Sequence, residues 1–274
     1  MSERALLPIG VFDSGIGGLT VLHELLVSLP EEDYLYLGDT RGFPYGTKSP
    51  DWLRPRVGRL VAYLLDRGAK LLVVACNSAT AAAADVVRDT AGARGVETLT
   101  VVEPEAEIAA AITESRRIGV LATPTTVQGG AYRRALEAQT GGRELDVTEV
   151  AAPDLAPLIQ DGFPLDEEMV ETVRSYCAPL KEARIDTLVL GCTHYPLVAP
   201  MLQRMLGRDV RLVSAGHAVA AAAQRTLEAH ALAAPSREEG QYRFLCTGEV
   251  ESFRELGTRF LQMPLGEVEH VELD

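Results

Sequence analysis

Short apolar, β-branched runs recur along the chain, separated by longer stretches whose apolar positions fall at helical spacing. The runs Ile9–Phe12, Tyr34–Leu37, Lys70–Ala75, Glu97–Val101, Arg117–Ala122, Leu145–Val150, Thr187–Leu190 and Val210–Val213 each have strand length. Leu19–Ser28 and Trp52–Arg67 read as helices between them, with Val57, Leu60, Val61 and Leu64 forming one apolar stripe on the second. Strand–helix alternation over the whole chain predicts an α/β fold, a mostly parallel sheet covered by helices on both faces. Ligands of such sheets bind just beyond the carboxyl ends of the strands, so the residues that follow each strand are the candidates for chemistry.

Two of these segments repeat. Ile9-Gly10-Val11-Phe12-Asp13-Ser14-Gly15 aligns with Ile118-Gly119-Val120-Leu121-Ala122-Thr123-Pro124. Further on, Leu71-Leu72-Val73-Val74-Ala75-Cys76 aligns with Thr187-Leu188-Val189-Leu190-Gly191-Cys192. Two pairs in the same order suggest two similar α/β halves, each with a cysteine at the end of an apolar strand.

Composition narrows the function classes. Over 274 residues, 47% are hydrophobic and 24% charged, ordinary globular usage and enough chain for one or two cores. The formal charge of −13 repels phosphate backbones, which argues against nucleic-acid binding through a broad basic face. A small acidic substrate stays open, since a pocket can carry the opposite local field. Met1–Pro8 has no secretory pattern, and no apolar run approaches membrane-spanning length. The four cysteines, Cys76, Cys177, Cys192 and Cys246, show no CxxC or zinc-ribbon spacing. The expectation is a soluble cytoplasmic protein with no disulfide framework.

Three strand-end motifs carry candidate chemistry. In Asp13-Ser14-Gly15-Ile16-Gly17-Gly18 the glycines allow close backbone approach to an anion, and Asp13 is either a helix cap or a carboxylate facing the crevice. In Cys76-Asn77-Ser78 the cysteine opens a helix, whose dipole favours the thiolate; the bland alternative is a buried apolar cysteine. Cys192-Thr193-His194-Tyr195-Pro196 places a histidine two residues beyond the second cysteine. A Cys/His thiol hydrolase would leave Cys76 unexplained. Two thiols at equivalent places of two halves can instead face one small molecule from opposite sides, one removing a proton while the other delivers one. Cys177 and Cys246 read as packing residues, the latter on a terminal strand, and Glu267–Asp274 as an acidic solvated stretch.

With these motifs in hand, the chain resembles the aspartate/glutamate racemase superfamily and, within it, the glutamate racemases. The resemblance rests on Asp13–Leu19, on Gly38-Asp39-Thr40 with Pro44-Tyr45-Gly46, on Cys76-Asn77-Ser78, and on Gly191-Cys192-Thr193-His194-Tyr195-Pro196-Leu197. It implies cofactor-independent two-base racemisation of glutamate, supplying D-glutamate for peptidoglycan, with no pyridoxal phosphate and no metal. Cys76 would exchange the α-proton of D-glutamate with help from Asp13, and Cys192 that of L-glutamate with help from His194. Asp13, Ser14, Tyr45, Gly46, Asn77, Ser78, Thr193 and His194 would hold the substrate, and Thr123 and Thr126 lie near it. The implied architecture is two pseudo-symmetric α/β domains with the active site in the cleft between them. Residues 1–97 plus 210–274 would form the first (Asp13, Cys76) and 98–209 the second (Cys192, His194). The expected partner is the small-molecule substrate, with no nucleic acid and no membrane, and a homodimer is compatible with the resemblance.

The chain departs from the family pattern at two informative places. Ser78 stands where Thr is usual and keeps the hydroxyl. Gln160 stands where Glu is typical, which casts doubt on an acid/base role there and leaves more to His194, or to Asp161 next to it. Two alternatives stay open: a racemase or isomerase of another small acid such as aspartate, and a low-turnover regulatory binding protein of the gyrase-inhibitor type.

Overall fold

The computed structural model describes residues 3–139, 144–162 and 167–273. Its strands are β1 (Ile9–Asp13), β2 (Tyr34–Gly38), β3 (Leu71–Val74), β4 (Glu97–Thr100), β5 (Arg117–Ala122), β6 (Asp146–Ala151), β7 (Thr187–Gly191), β8 (Arg211–Val213), β9 (Tyr242–Cys246) and β10 (Val268–His270). One six-stranded sheet runs β10-β9-β2-β1-β3-β4 and a four-stranded sheet runs β6-β5-β7-β8, and every paired neighbour is parallel. Strands β1, β2, β3 and β7 are buried at every position, as strands covered on both faces must be.

The repeat in the sequence is a repeat in topology. The order β2-β1-β3-β4 of the first sheet recurs as β6-β5-β7-β8 in the second, and the two aligned segments fall on the matching strands β1/β5 and β3/β7. Even the shared glycine has one cause. A Cβ on Gly10 would lie 2.9 Å from Ala69 Cβ, and one on Gly119 would lie 2.6 Å from Ile185 Cδ1, so both strands need the close approach of the chain entering the next strand. In each half the chain turns from one side of the sheet to the other between the first and third strands. That switch point puts the loops after β1 and β3, and after β5 and β7, at a crevice.

Helices Pro50–Asp66 and Asn77–Gly92 cover one face of the first sheet, packing Leu53, Val57, Leu60, Val61 and Leu64 against Phe12, Leu72 and Val74. The first starts where Ser49 Oγ accepts from Trp52 N and Pro50 occupies the first turn, where its missing N–H costs nothing. Leu19–Ser28 and Ala215–Ala229 cover the other face. Their core continues without a break into that of the second sheet, through Val101, Ile118, Tyr132 and Val213.

Two sequence expectations need correction. Glu267–Asp274 is not simply a solvated acidic run: Val268–His270 forms edge strand β10 parallel to β9, with Val268 and Val271 buried and Glu269 exposed; Asp274 lies outside the described residues. Three residues are too few to show a period, and the charge hid them. Arg211–Val213 pairs with β7, so the second sheet extends past residue 209, and the chain returns to the first sheet only with β9.

Candidate active site

A cavity of about 20 Å³ lies between the carboxyl ends of the two sheets, and both Cys76 and Cys192 line it. Its wall includes Ser14, Tyr45, Gly46, Asn77, Ser78 and Thr193 with His194, so nine of the residues singled out from sequence meet around one space, with Asp13 behind the wall rather than lining it. Thr123 also lines it. Thr126 stands behind Thr123, hydroxyl to hydroxyl at 3.0 Å, and Thr123 in turn meets Ser78 Oγ at 2.8 Å.

On the first side, Asp13 ends β1 with no exposed surface. Its Oδ2 accepts from Gly18 N at 2.9 Å and Gly15 N at 3.3 Å, so the carboxylate shapes the glycine turn. Oδ1 is buried with no hydrogen-bond partner among the described residues. Burial raises the Asp13 pKa, while the turn N–H groups and Cys76 hold it down. Cys76 opens the helix Asn77–Gly92, and its Sγ accepts from Ala79 N at 3.4 Å. The helix end thus does assist the thiolate, as the sequence suggests, but burial and the neighbouring Asp13 charge outweigh it, and the thiol pKa lies well above its usual value. Cys76 is therefore a protonated thiol at neutral pH, beside the Asp13 carboxyl group.

On the second side, Cys192 Sγ lies 3.9 Å from His194 Nδ1, and His194 Nε2 lies 3.2 Å from Gln160 Oε1. The imidazole is packed between Phe43, at 5.5 Å, and the edge of Phe260, at 5.1 Å between centroids. Burial pushes Cys192 up to about 12 and His194 down to about 3, so both are neutral at pH 7. Gln160, not the exposed Asp161, is the residue that reaches the histidine. An amide holds a neutral ring in place but cannot stabilise an imidazolium as a carboxylate would.

That arrangement has a consequence for acid stability. A histidine that ionises near 6.5 when unfolded but near 3 when folded contributes stability that is complete above pH 6.5 and is lost as pH falls toward 3. At pH 5 the loss from this one group is about 2 kcal/mol. Urea unfolding at pH 7 and pH 5 should show that much less acid sensitivity in His194→Asn. Gln160→Glu should also blunt the loss, because its carboxylate favours the folded imidazolium. Equal acid sensitivity in wild type and His194→Asn would refute the argument.

The loop at Phe43–Thr47 closes the cavity. Tyr45 is buried and gives its hydroxyl to Asp39, a bond that together with burial raises the phenol pKa. The main chain of Tyr45 and Gly46 is then the part of the segment left to meet a ligand. Asp39 is itself held by Arg56 Nη2 at 2.6 Å and by the Thr247 hydroxyl at 2.6 Å, and it does not line the cavity. Those contacts make Asp39 a loop-shaping residue. From the opposite half, the Thr125 hydroxyl donates to Lys48 O at 2.9 Å and Tyr45 O at 3.2 Å.

Sequence reading missed two buried polar residues behind this wall, Glu105 and Tyr132. The Tyr132 hydroxyl donates to Glu105 Oε2, and Asn77 Nδ2 lies 2.6 Å from the same hydroxyl. A signal was present: Glu105 falls on the stripe Val102, Glu105, Ala106, Ala109, the buried face of its helix.

The geometry defines a class before any comparison: two buried thiols at matched strand ends of a duplicated α/β chain, each with its own polar helper, facing one small cavity. The chain belongs to the Asp/Glu/hydantoin racemase family, whose model matches residues 20–223. A glutamate racemase of Geobacter metallireducens is 40% identical over 266 residues, covering 97% of each chain. Among solved structures, a glutamate racemase isoform from Bacillus anthracis superposes with a TM-score of 0.91 at 34% identity, covering 97% of this chain and 98% of the other. The glutamate racemase of Francisella tularensis in complex with D-glutamate gives 0.90 at 30% identity, over 98% and 99%.

Proposed function

We propose that the chain is a cofactor-independent racemase that interconverts L-glutamate and D-glutamate, with Cys76 and Cys192 working on opposite faces of the α-carbon. The observation that carries this is the pair of thiols lining one cavity from equivalent strand ends. In the assigned roles Cys76 exchanges the α-proton of D-glutamate beside Asp13, and Cys192 that of L-glutamate beside His194. Asp13, Ser14, Tyr45, Gly46, Asn77, Ser78, Thr193 and His194 hold the amino acid. The chain through β4, with the return segment after β8, makes up one catalytic half, and the rest makes up the other. Both thiols come from one chain, so the chemistry needs no partner subunit.

Each step must make a thiolate from a thiol whose burial opposes ionisation. The substrate supplies the correction: its ammonium group, seated by Asp13, offsets the negative charge that raises the Cys76 pKa. The thiolate takes the α-proton while the opposite thiol donates its own to the other face, leaving the inverted amino acid and the charge transferred to the second sulfur. Backbone and hydroxyl donors around the carboxylate stabilise the enolate-like intermediate, and the buried wall of the cavity keeps stray protons out. The product is a building block of peptidoglycan, made in the cytoplasm; no described helix is long and apolar enough to cross a membrane.

Incubation of the purified protein with L-glutamate in D2O, without cofactor, tests this reading, with L-aspartate in parallel. Loss of optical rotation with deuterium entering the inverted product is expected for glutamate. Inversion of aspartate alone would move the substrate assignment, and no exchange with either would overturn the function.

A further inference from the structure

Glu105 has no exposed surface, and nothing in the proton transfers above uses it. It sits in the helix Val102–Ile112 that follows β4, and its Oε2 accepts from the Tyr132 hydroxyl and lies 3.5 Å from Asn77 Nδ2. Its other oxygen, Oε1, is buried with no hydrogen-bond partner among the described residues. Asn77 Nδ2 is 2.6 Å from the Tyr132 hydroxyl. Both N–H bonds of the Asn77 carboxamide are therefore directed away from the cavity, one to Tyr132 and one to Glu105. The group left to face the cavity, which Asn77 lines, is the carbonyl oxygen Oδ1.

We infer that Glu105 is a positioning residue, which through Tyr132 fixes the Asn77 carboxamide with its oxygen toward the substrate, making Asn77 an acceptor for the substrate ammonium. The inference rests on the racemase reading for the identity of that ligand. The arrangement does not require an ionised Glu105. Burial raises its pKa well above the ordinary carboxylic acid value, and a proton on the unpartnered Oε1 leaves Oε2 free to accept from both donors. A neutral amide placed the same way has the same hydrogen-bonding face, so glutamine should replace this acid where an apolar residue cannot. The triad also has a structural reach that suits the task. Asn77 belongs to the first sheet's helix, while Glu105 and Tyr132 pack against the second sheet; a Cβ on Gly191, one residue before Cys192, would lie 2.9 Å from Tyr132 Cε2. The same group that aims the substrate contact is thus anchored beside the second thiol.

Steady-state kinetics in both directions test the role. Glu105→Gln should stay within about twofold of wild type. Glu105→Leu, which removes the acceptor for two hydrogen bonds, should raise KM roughly tenfold for both enantiomers with a smaller change in kcat. The double variant Asn77→Ala/Glu105→Leu should be no worse than Asn77→Ala, since the second change acts only through the first. Unchanged KM in Glu105→Leu, or penalties that multiply, would overturn the proposal. Tyr132→Phe keeps the packing and removes only the hydroxyl, so it covers the case in which Glu105→Leu does not fold; it should reproduce the KM rise. A readout independent of turnover is the Asn77 side-chain amide in ¹⁵N NMR spectra, identified by its loss in Asn77→Asp. Two slowly exchanging hydrogens are expected in wild type, exchanging fast in Glu105→Leu and Tyr132→Phe but not in Glu105→Gln. If wild type fails to racemise glutamate the function falls, while this amide signal still decides the role of Glu105: exchange as slow in the variants as in wild type overturns it.

Discussion

Replacing Cys192 by serine should stop inversion of both enantiomers yet leave half of the exchange chemistry alive. With Cys76 and Asp13 intact, D-glutamate should still lose its α-proton to solvent deuterium and return as deuterated D-glutamate, while L-glutamate stays inert. Cys76→Ser should give the mirror result. Removing a positioned acid or base costs about 10²–10⁴ in rate, and racemisation needs both, so kcat should fall by roughly 10³ in either variant. The final mixture is untouched by any such change, because enantiomers have equal free energy in water; only the approach to it slows. ¹H NMR in D2O with each pure enantiomer reads exchange and inversion separately. A Cys192→Ser protein that exchanges L-glutamate as fast as D-glutamate would break the assignment of one thiol to each face.

The asymmetry of the two helpers makes this pair of variants informative. Cys76 has a buried carboxylate beside it, which both opposes its ionisation at rest and can accept its hydrogen bond. Cys192 has a neutral histidine backed by a neutral amide. The first side is the better electrostatic partner for the substrate's ammonium group, and the second offers a thiol and an imidazole that are both neutral. Exchange on the Cys76 side should therefore survive single substitution more robustly than exchange on the Cys192 side.

Much of this was legible in the sequence, because the informative signals there are local. Parallel strands buried on both faces, such as β1, β3 and β7, are written as apolar runs; all eight strands anticipated from Ile9 to Val213 are present, and the duplicated segments gave the matched positions of Cys76 and Cys192. Local signals fail where the determining contact is remote. The helix-end position of Cys76 argued for a lowered pKa, but burial under the opposite half and the charge of Asp13, sixty-odd residues away in sequence, reverse the sign. Asp39 ends a strand beside the site, yet Arg56 and Thr247, remote in sequence, take its oxygens and make it a loop-shaping residue. Glu105 and Tyr132 had no motif of their own; only the odd charge on a buried helical stripe marked them. The short strand β10 disappeared among glutamates because it takes its pairing from β9 rather than from its own pattern.

Gly17→Ala should disable the active site with a single methyl. A Cβ built there would lie 2.4 Å from both His194 Nδ1 and Thr193 Oγ1, distances no real contact tolerates. Relief by rotation of a flexible side chain is blocked, since the imidazole is packed between Phe43 and Phe260 and tied to Gln160. The backbone is equally committed: Gly17 O accepts from Thr20 N at 3.0 Å and from the Thr20 hydroxyl at 2.9 Å, and that hydroxyl is also within 3.0 Å of Thr193 O. The methyl must then push the two halves apart at the second thiol's helper. Displacement of about 1 Å at a reacting group can cost 10²-fold, which is the expected fall in kcat/KM, and overpacking of this kind costs about 1–3 kcal/mol of stability. Gly92→Ala is the control, because nothing lies within 4 Å of a Cβ there and the substitution closes a helix end. It should leave kinetics unchanged and hold or raise the urea midpoint. Wild-type kcat/KM in Gly17→Ala would mean that the halves can separate at this point without loss, and that His194 need not stand where the structure holds it.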